Sequence, residues 1–193
     1  MPTRQTNIIY PVILEVSLKN RKLTGREQVA FLQKHARQAV AVSARRGSVD
    51  LPAFEKDSRG APLPETASSG PSPINRNMWP VWWRKRRPGL ILKKIRPVRA
   101  GLFERITDES ERQLGPLSDE FFYRFWTAKE AVLKATRMGL AGLSRCKIIR
   151  ILDADVLEVA IDGIKWRVTH RIYDHHLISV TSDDHAIDWC FPS

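Results

Sequence analysis

Glu130 and Lys134 stand four residues apart in the run F-F-Y-R-F-W-T-A-K-E-A-V-L-K, from Phe121 to Lys134, with Lys129 just before the glutamate and Trp126 one turn earlier. On a helix this spacing sets a carboxylate and an ammonium one turn apart on the same flank. The same spacing also describes an ordinary surface i,i+4 pair worth roughly 0.2–0.5 kcal/mol. Lys129 lies about 100° round a helix from Glu130, so the two share a ligand only along their common edge.

The element that must carry these groups has no Gly or Pro and is rich in helix formers, which predicts a helix capped by Asp119 and ending near Gly139. Phe122, Phe125, Val132 and Leu133 supply its apolar contacts. Before it, Leu102, Phe103 and Ile106 make an apolar helical face, the acidic run Asp108 to Glu111 opens another helical turn, and Gly115-Pro116 breaks it. After it, Gly139 to Ser144 is a turn. Short strands follow at Lys147–Leu152, Val156–Ile161, Ile164–Ile172, Leu177–Thr181 and Ala186–Trp189, with Asp162-Gly163 as a tight hairpin. Towards the N-terminus, Asn7 to Leu18 read as one or two strands broken near Pro11. Thr24 with Glu27 makes a capping box for a helix carrying Val29, Leu32, Ala36, Ala39 and Val40 on one face until Gly47.

The chain of 193 residues is long enough for one domain or two small ones. Cys146 and Cys190 lack C-x-x-C spacing and read as buried small residues in a reducing compartment. No apolar run is long enough to span a bilayer and the N-terminus lacks a signal-peptide core, so a soluble cytoplasmic protein is expected. The net charge of +11 calls for an acidic partner, and from Arg76 to Arg99 every charged residue is basic. Asn75 to Pro88 places three Trp beside four consecutive basic residues, and Trp82 and Trp83 are what a single-stranded nucleic-acid surface would use. His175 and His176 adjoin a strand without an i,i+4 spacing and without a Cys or carboxylate constellation beside them, which argues against a zinc site.

The order W-T-x-K-E-A-x-x-K, Trp126 to Lys134, resembles the C-terminal signature of the 4′-phosphopantetheinyl transferases, which move the phosphopantetheine arm of coenzyme A onto a serine of a carrier protein. The resemblance implies an α+β fold of two similar halves, a pseudo-dimer of antiparallel sheets packed with helices, here 1–97 and 98–193, with the active site in the cleft between them. It implies Mg2+ as cofactor, coenzyme A as substrate, an acyl or peptidyl carrier protein as partner, and a monomer. Glu130 becomes a metal ligand and candidate acceptor of the serine proton. Lys129 and Lys134 go to phosphate, and Arg37, on the first helix, to a coenzyme A phosphate. The turn from Lys56 to Pro64 looks like the family's Gly-x-Pro turn beside the nucleotide.

Two family motifs are missing. One is a Trp-Ser-x-Ser-His segment whose His helps to hold a phosphate. The other is a Gly-x-Asp-x-Glu strand whose carboxylates bind magnesium; in its place the chain has G-L-I-L-K, with Ile91 and Lys93 at the carboxylate positions. A hydrocarbon cannot ligate a hard cation and an ammonium repels one. Transfer is therefore expected to be impaired; the alternatives are a catalytically degenerate relative that binds coenzyme A or a carrier, and a basic-aromatic nucleic-acid-binding module. With suitable synonymous codons, the bases for Gly89 to Lys93 read one base earlier give G-V-D-I-E, and extending that frame back to Gly70 yields a histidine at position 74. This predicts compensating frameshifts, one between about Pro64 and Gly70 and one near Lys93 and Lys94, in the gene or its sequence record. The nucleotides of codons 60 to 100 test it.

Overall fold

The computed structural model describes residues 8–48, 88–99 and 101–192. They divide between two compact units, one holding 88–187 and the other 8–48 with 188–192. Four of the features named above therefore lie outside the described residues: the turn from Lys56 to Pro64, the Trp82–Trp83 cluster, the position-74 histidine site and most of the interval proposed to be frame-shifted.

In the smaller unit, helix α1 spans Gly25–Arg46 between Thr24 and Gly47, the ends its sequence predicts. Thr24 makes no side-chain cap bond, so the box with Glu27 is not closed. None of the residues of α1 is buried, and Val29, Leu32 and Val40 are exposed. Of the strands expected from Asn7 to Leu18, only Ile8–Ile9 is one. Val12 bridges Cys190, and Arg46 pairs with Asp188 at 2.7 Å.

The larger unit is a five-stranded antiparallel sheet with helices packed on it. Its elements are β1 (Leu90–Lys94), α2 (Leu102–Ile106), α3 (Glu109–Arg112), α4 (Asp119–Thr136), β2 (Lys147–Ile151), β3 (Val156–Ile161), β4 (Ile164–Tyr173) and β5 (His176–Thr181), in the strand order β1-β5-β4-β3-β2. The β3–β4 hairpin turns on Asp162 and Gly163, both at positive φ, the conformation a two-residue turn requires. The β4–β5 turn likewise puts Asp174 and His175 at positive φ. The division expected at residues 97 and 98 falls inside this unit, because β1 pairs with β5 from Leu90↔Val180 to Lys94↔His176. A strand has a free edge until another chain segment fills it, and here the segment before residue 97 does so.

Helix α4 lies on the sheet because its apolar residues recur at helical spacing. Phe121, Phe122, Phe125, Ala128, Val132 and Leu133 are all buried, packed with Phe103 and Ile106 from α2 and with Leu157, Val159 and Val168 from the sheet. The cap is Ser118 rather than Asp119: its hydroxyl accepts from Phe121 N, while the Asp119 carboxylate accepts from Val98 N at 2.8 Å. The helix stops at Thr136, with Arg137 in the left-handed conformation. Small residues on the sheet side bring backbones together. A methyl group on Gly89 would stand 1.8 Å from the Ala131 carbonyl oxygen, so β1 enters the sheet directly against α4 and only glycine fits there.

A buried polar chain ties α4 to the sheet. Thr127 Oγ1 donates to Tyr123 O at 2.7 Å and lies 2.6 Å from Ser179 Oγ, which lies 2.7 Å from His170 Nδ1. Since the threonine proton is committed to Tyr123, Ser179 donates to Thr127 and accepts from Nδ1–H. His170 is thus the neutral Nδ1–H tautomer. Nε2 is buried without a hydrogen-bond partner. Burial, with Arg124 adding a like charge, pushes the imidazole from 6.5 down to about 3. The unfolded chain binds this proton below about pH 6.5 and the folded one does not, so His170 favours folding above that pH and the gain is lost as pH falls towards 3. We expect the unfolding free energy to fall by up to about 1.4 kcal/mol per pH unit from this group, with His170→Asn removing that part of the slope in denaturant titrations between pH 7 and 4.

Candidate functional site

Alternation along β1 decides which of its residues meet α4. Ile91 and Lys93 point towards the helix, while Leu90 and Leu92 are exposed on the other face. Ile91 is buried in the core. Lys93 reaches Glu130, with Nζ 3.3 Å from Oε2 and the side chains 41% and 16% exposed. Oε2 is buried and accepts no hydrogen bond, so the contact is one of charge rather than of bond alignment. One turn along α4, Lys134 is exposed, and its Nζ lies 3.4 Å from Leu90 O. The seam between β1 and α4 thus presents one shielded carboxylate and two ammonium groups.

Lys129 turns to a different set of partners. It is 1% exposed, and its Nζ contacts Glu111 Oε1 at 2.7 Å, Glu111 Oε2 at 2.9 Å and Ile106 O at 2.5 Å. The ammonium donates to Ile106 O and Glu111 Oε2 and is paired in charge with Oε1. Glu111 is equally buried and also accepts from Asp108 N and Ile148 N, at 2.9 and 2.7 Å. Asp108 closes the capping box of α3, accepting from Glu111 N, and pairs with Lys147 at 2.9 Å. The Glu111 N–H first, then the Ser110 hydroxyl and Lys147, hold the Asp108 carboxyl far below the usual range. A cavity of about 390 Å³ opens beside this cluster, lined by Arg105, Thr107, Asp108, Lys129, Ser144 and Lys147 among others.

The structure therefore brings Glu130 and Lys134 together along one edge of α4, as their spacing predicts, and draws Lys129 away into a buried ion pair. Arg37 is exposed on α1, in the other unit. Cys146, next to the pair, is a buried thiol pushed up to about 12 by burial. Sequence reasoning took Asp108 to Glu111 as a helix start and did not single out Glu111. The D-x-x-E spacing of a capping box was the available signal, but nothing in it says that the glutamate is also the partner of a lysine eighteen residues on.

A family model described as the 4′-phosphopantetheinyl transferase superfamily matches residues 90–190, over half of the chain. The chain belongs to the 4′-phosphopantetheinyl transferase superfamily. No curated protein sequence matches it. The match begins at β1 and takes in α4 and the whole sheet, so the seam that holds Glu130, Lys134 and Lys93 is superfamily structure.

Proteins of this superfamily generally depend on magnesium and coenzyme A. The residues at this seam do not fit a magnesium ion. Six oxygen ligands are the ordinary requirement, and β1 offers a buried hydrocarbon and an ammonium already in contact with the one carboxylate. Among the described residues, no three His, Cys, Asp or Glu side chains are grouped to hold a metal. The places where the alternative frame would put an aspartate and a glutamate, 91 and 93, lie on the face of β1 that meets α4, and 93 is the one in contact with Glu130. No helix among the described residues is long and apolar enough to cross a membrane.

Proposed function

We propose that the chain transfers 4′-phosphopantetheine from coenzyme A to a serine of an acyl or peptidyl carrier protein, at a rate several orders of magnitude below that of a complete site. The observation that supports this most is the placement of Glu130 and Lys134 along one helical edge, facing β1, inside the region matched by the superfamily model. In this reading Lys134 and Lys93 hold the diphosphate of coenzyme A. The serine oxygen bonds to the phosphorus nearer the pantetheine and the anhydride bond to the nucleotide phosphate breaks. The serine proton passes to Glu130, and 3′,5′-adenosine diphosphate leaves. Lys129 acts as a positioning residue, holding α4 against α3 and β2.

Charge that grows on the transferring oxygens is then met by ammonium groups alone. A Lewis acid contributes several kcal/mol in such transfers and each 1.36 kcal/mol is tenfold, so its loss costs on the order of 10³-fold in rate. Intact-mass spectrometry of an apo carrier incubated with coenzyme A tests the proposal: a slow, phosphopantetheine-sized mass gain is expected. Transfer at the rate of a complete site would show the metal argument to be wrong. A carrier that stays unmodified while coenzyme A still binds would replace the transferase by a binding-only relative, the reading that the Lys93–Glu130 contact favours.

A further inference from the structure

We propose that Lys93 is a tethered cation in the place where the superfamily uses a metal, and that this seam binds the diphosphate of coenzyme A without a divalent ion. The identity of the ligand rests on the transferase reading above; the metal independence rests on the seam itself. Glu130 is the more enclosed partner and Lys93 the more open one, at 16% and 41% exposure, so the carboxylate lies beneath the ammonium and donors of Lys93 remain for an anion arriving from solvent. Lys134, exposed one turn further along α4, has only a long contact to Leu90 O and adds a second positive charge. Two ammonium groups around one carboxylate leave the seam net positive. A divalent cation would meet repulsion there and a diphosphate would meet attraction.

The position of Lys93 is not left to a flexible stem alone. Gly89 packs on the backbone of α4 at Ala131, and five residue pairs join β1 to β5, so the strand that carries Lys93 is fixed on both sides. Ile91 fills the space between with hydrocarbon, and no water-bearing ligand shell has a donor to use at that position.

Isothermal titration of the full chain with coenzyme A, in EDTA and again in magnesium, tests this. Binding is expected in EDTA, within about twofold of that in magnesium, and inorganic pyrophosphate is expected to compete for it. Lys93→Met should weaken coenzyme A at least about tenfold in EDTA, and Lys93→Arg, which keeps the charge, should retain most of the affinity. Lys147→Met, at the Asp108 pair, should leave affinity unchanged. Lys93→Gln serves if the methionine variant fails to fold. Binding that appears only with magnesium, or an unaltered affinity in folded Lys93→Met and Lys93→Gln, overturns the inference and leaves the transferase reading standing. Competition by 3′,5′-adenosine diphosphate but not by pyrophosphate also overturns it, because the ligand is then held by its nucleotide end. Absence of coenzyme A binding in both conditions overturns the transferase reading and the inference with it.

Discussion

Ile91→Asp combined with Lys93→Glu is expected to turn the slow, metal-indifferent chain into a magnesium-dependent one, raising carrier modification on the order of 10³-fold at saturating magnesium. Both positions lie on the face of β1 that meets α4, and Lys93 already touches Glu130, so the new carboxylates arrive where Glu130 stands. Either change alone is insufficient: Ile91→Asp keeps an ammonium in the site, and Lys93→Glu leaves two carboxylates where three are wanted. Without magnesium the double variant should be less stable than the parent, because three negative groups replace an ion pair and a buried hydrocarbon. Adding the ion should then raise its unfolding midpoint, since a ligand at a hundredfold excess over its Kd stabilises by about 2.7 kcal/mol. The parent should show no such rise. Differential scanning calorimetry with and without magnesium reads this independently of turnover, and a double variant with neither the midpoint rise nor the rate gain would show that β1 does not carry the metal positions.

The larger unit was legible in sequence because its signals are local. Short runs rich in β-branched residues mark β2 to β5 within a residue or two, Asp162-Gly163 marks the hairpin, and Phe122, Phe125, Val132 and Leu133 mark α4 and its buried face. The pairing of β1 with β5, more than eighty residues away and across the expected division at 97 and 98, is a long-range fact that no periodicity within β1 announces. The cap of α4 was misplaced by one residue because Ser118 and Asp119 are both good caps, and only the contact with Val98 N shows that Asp119 is used elsewhere. At the site, Glu130 and Lys134 followed from helical spacing. Lys129 did not, because a lysine beside a glutamate reads as an exposed phosphate binder until the tertiary fold supplies a buried carboxylate for it. The face of Lys93 was implicit in strand alternation, but its contact with Glu130 required the approach of β1 to α4 that Gly89 permits.

Lys129→Met should be costlier to stability than any change at the exposed edge of α4. The substitution leaves Glu111 fully buried with its charge unmatched, and breaking a buried pair from one side costs about 3–5 kcal/mol. Against a total of roughly 5–15 kcal/mol for a domain, that brings the protein close to unfolding. At about 4 °C or more per kcal/mol for a unit of about 100 residues, the midpoint should fall by roughly 12 °C or more. Adding Glu111→Leu removes the stranded charge and should recover part of the loss. It cannot recover all of it, because Asp108 N and Ile148 N then lose their acceptor at about 1–3 kcal/mol each. Affinity separates this role from a phosphate contact. At a temperature where Lys129→Met is folded, its coenzyme A affinity should stay within a few-fold of the parent, whereas Lys134→Met should lower affinity with little effect on the midpoint. The opposite pattern, a stable Lys129→Met that has lost coenzyme A at least about tenfold, would mean that the ammonium leaves Glu111 for the ligand and that its role is at the phosphate.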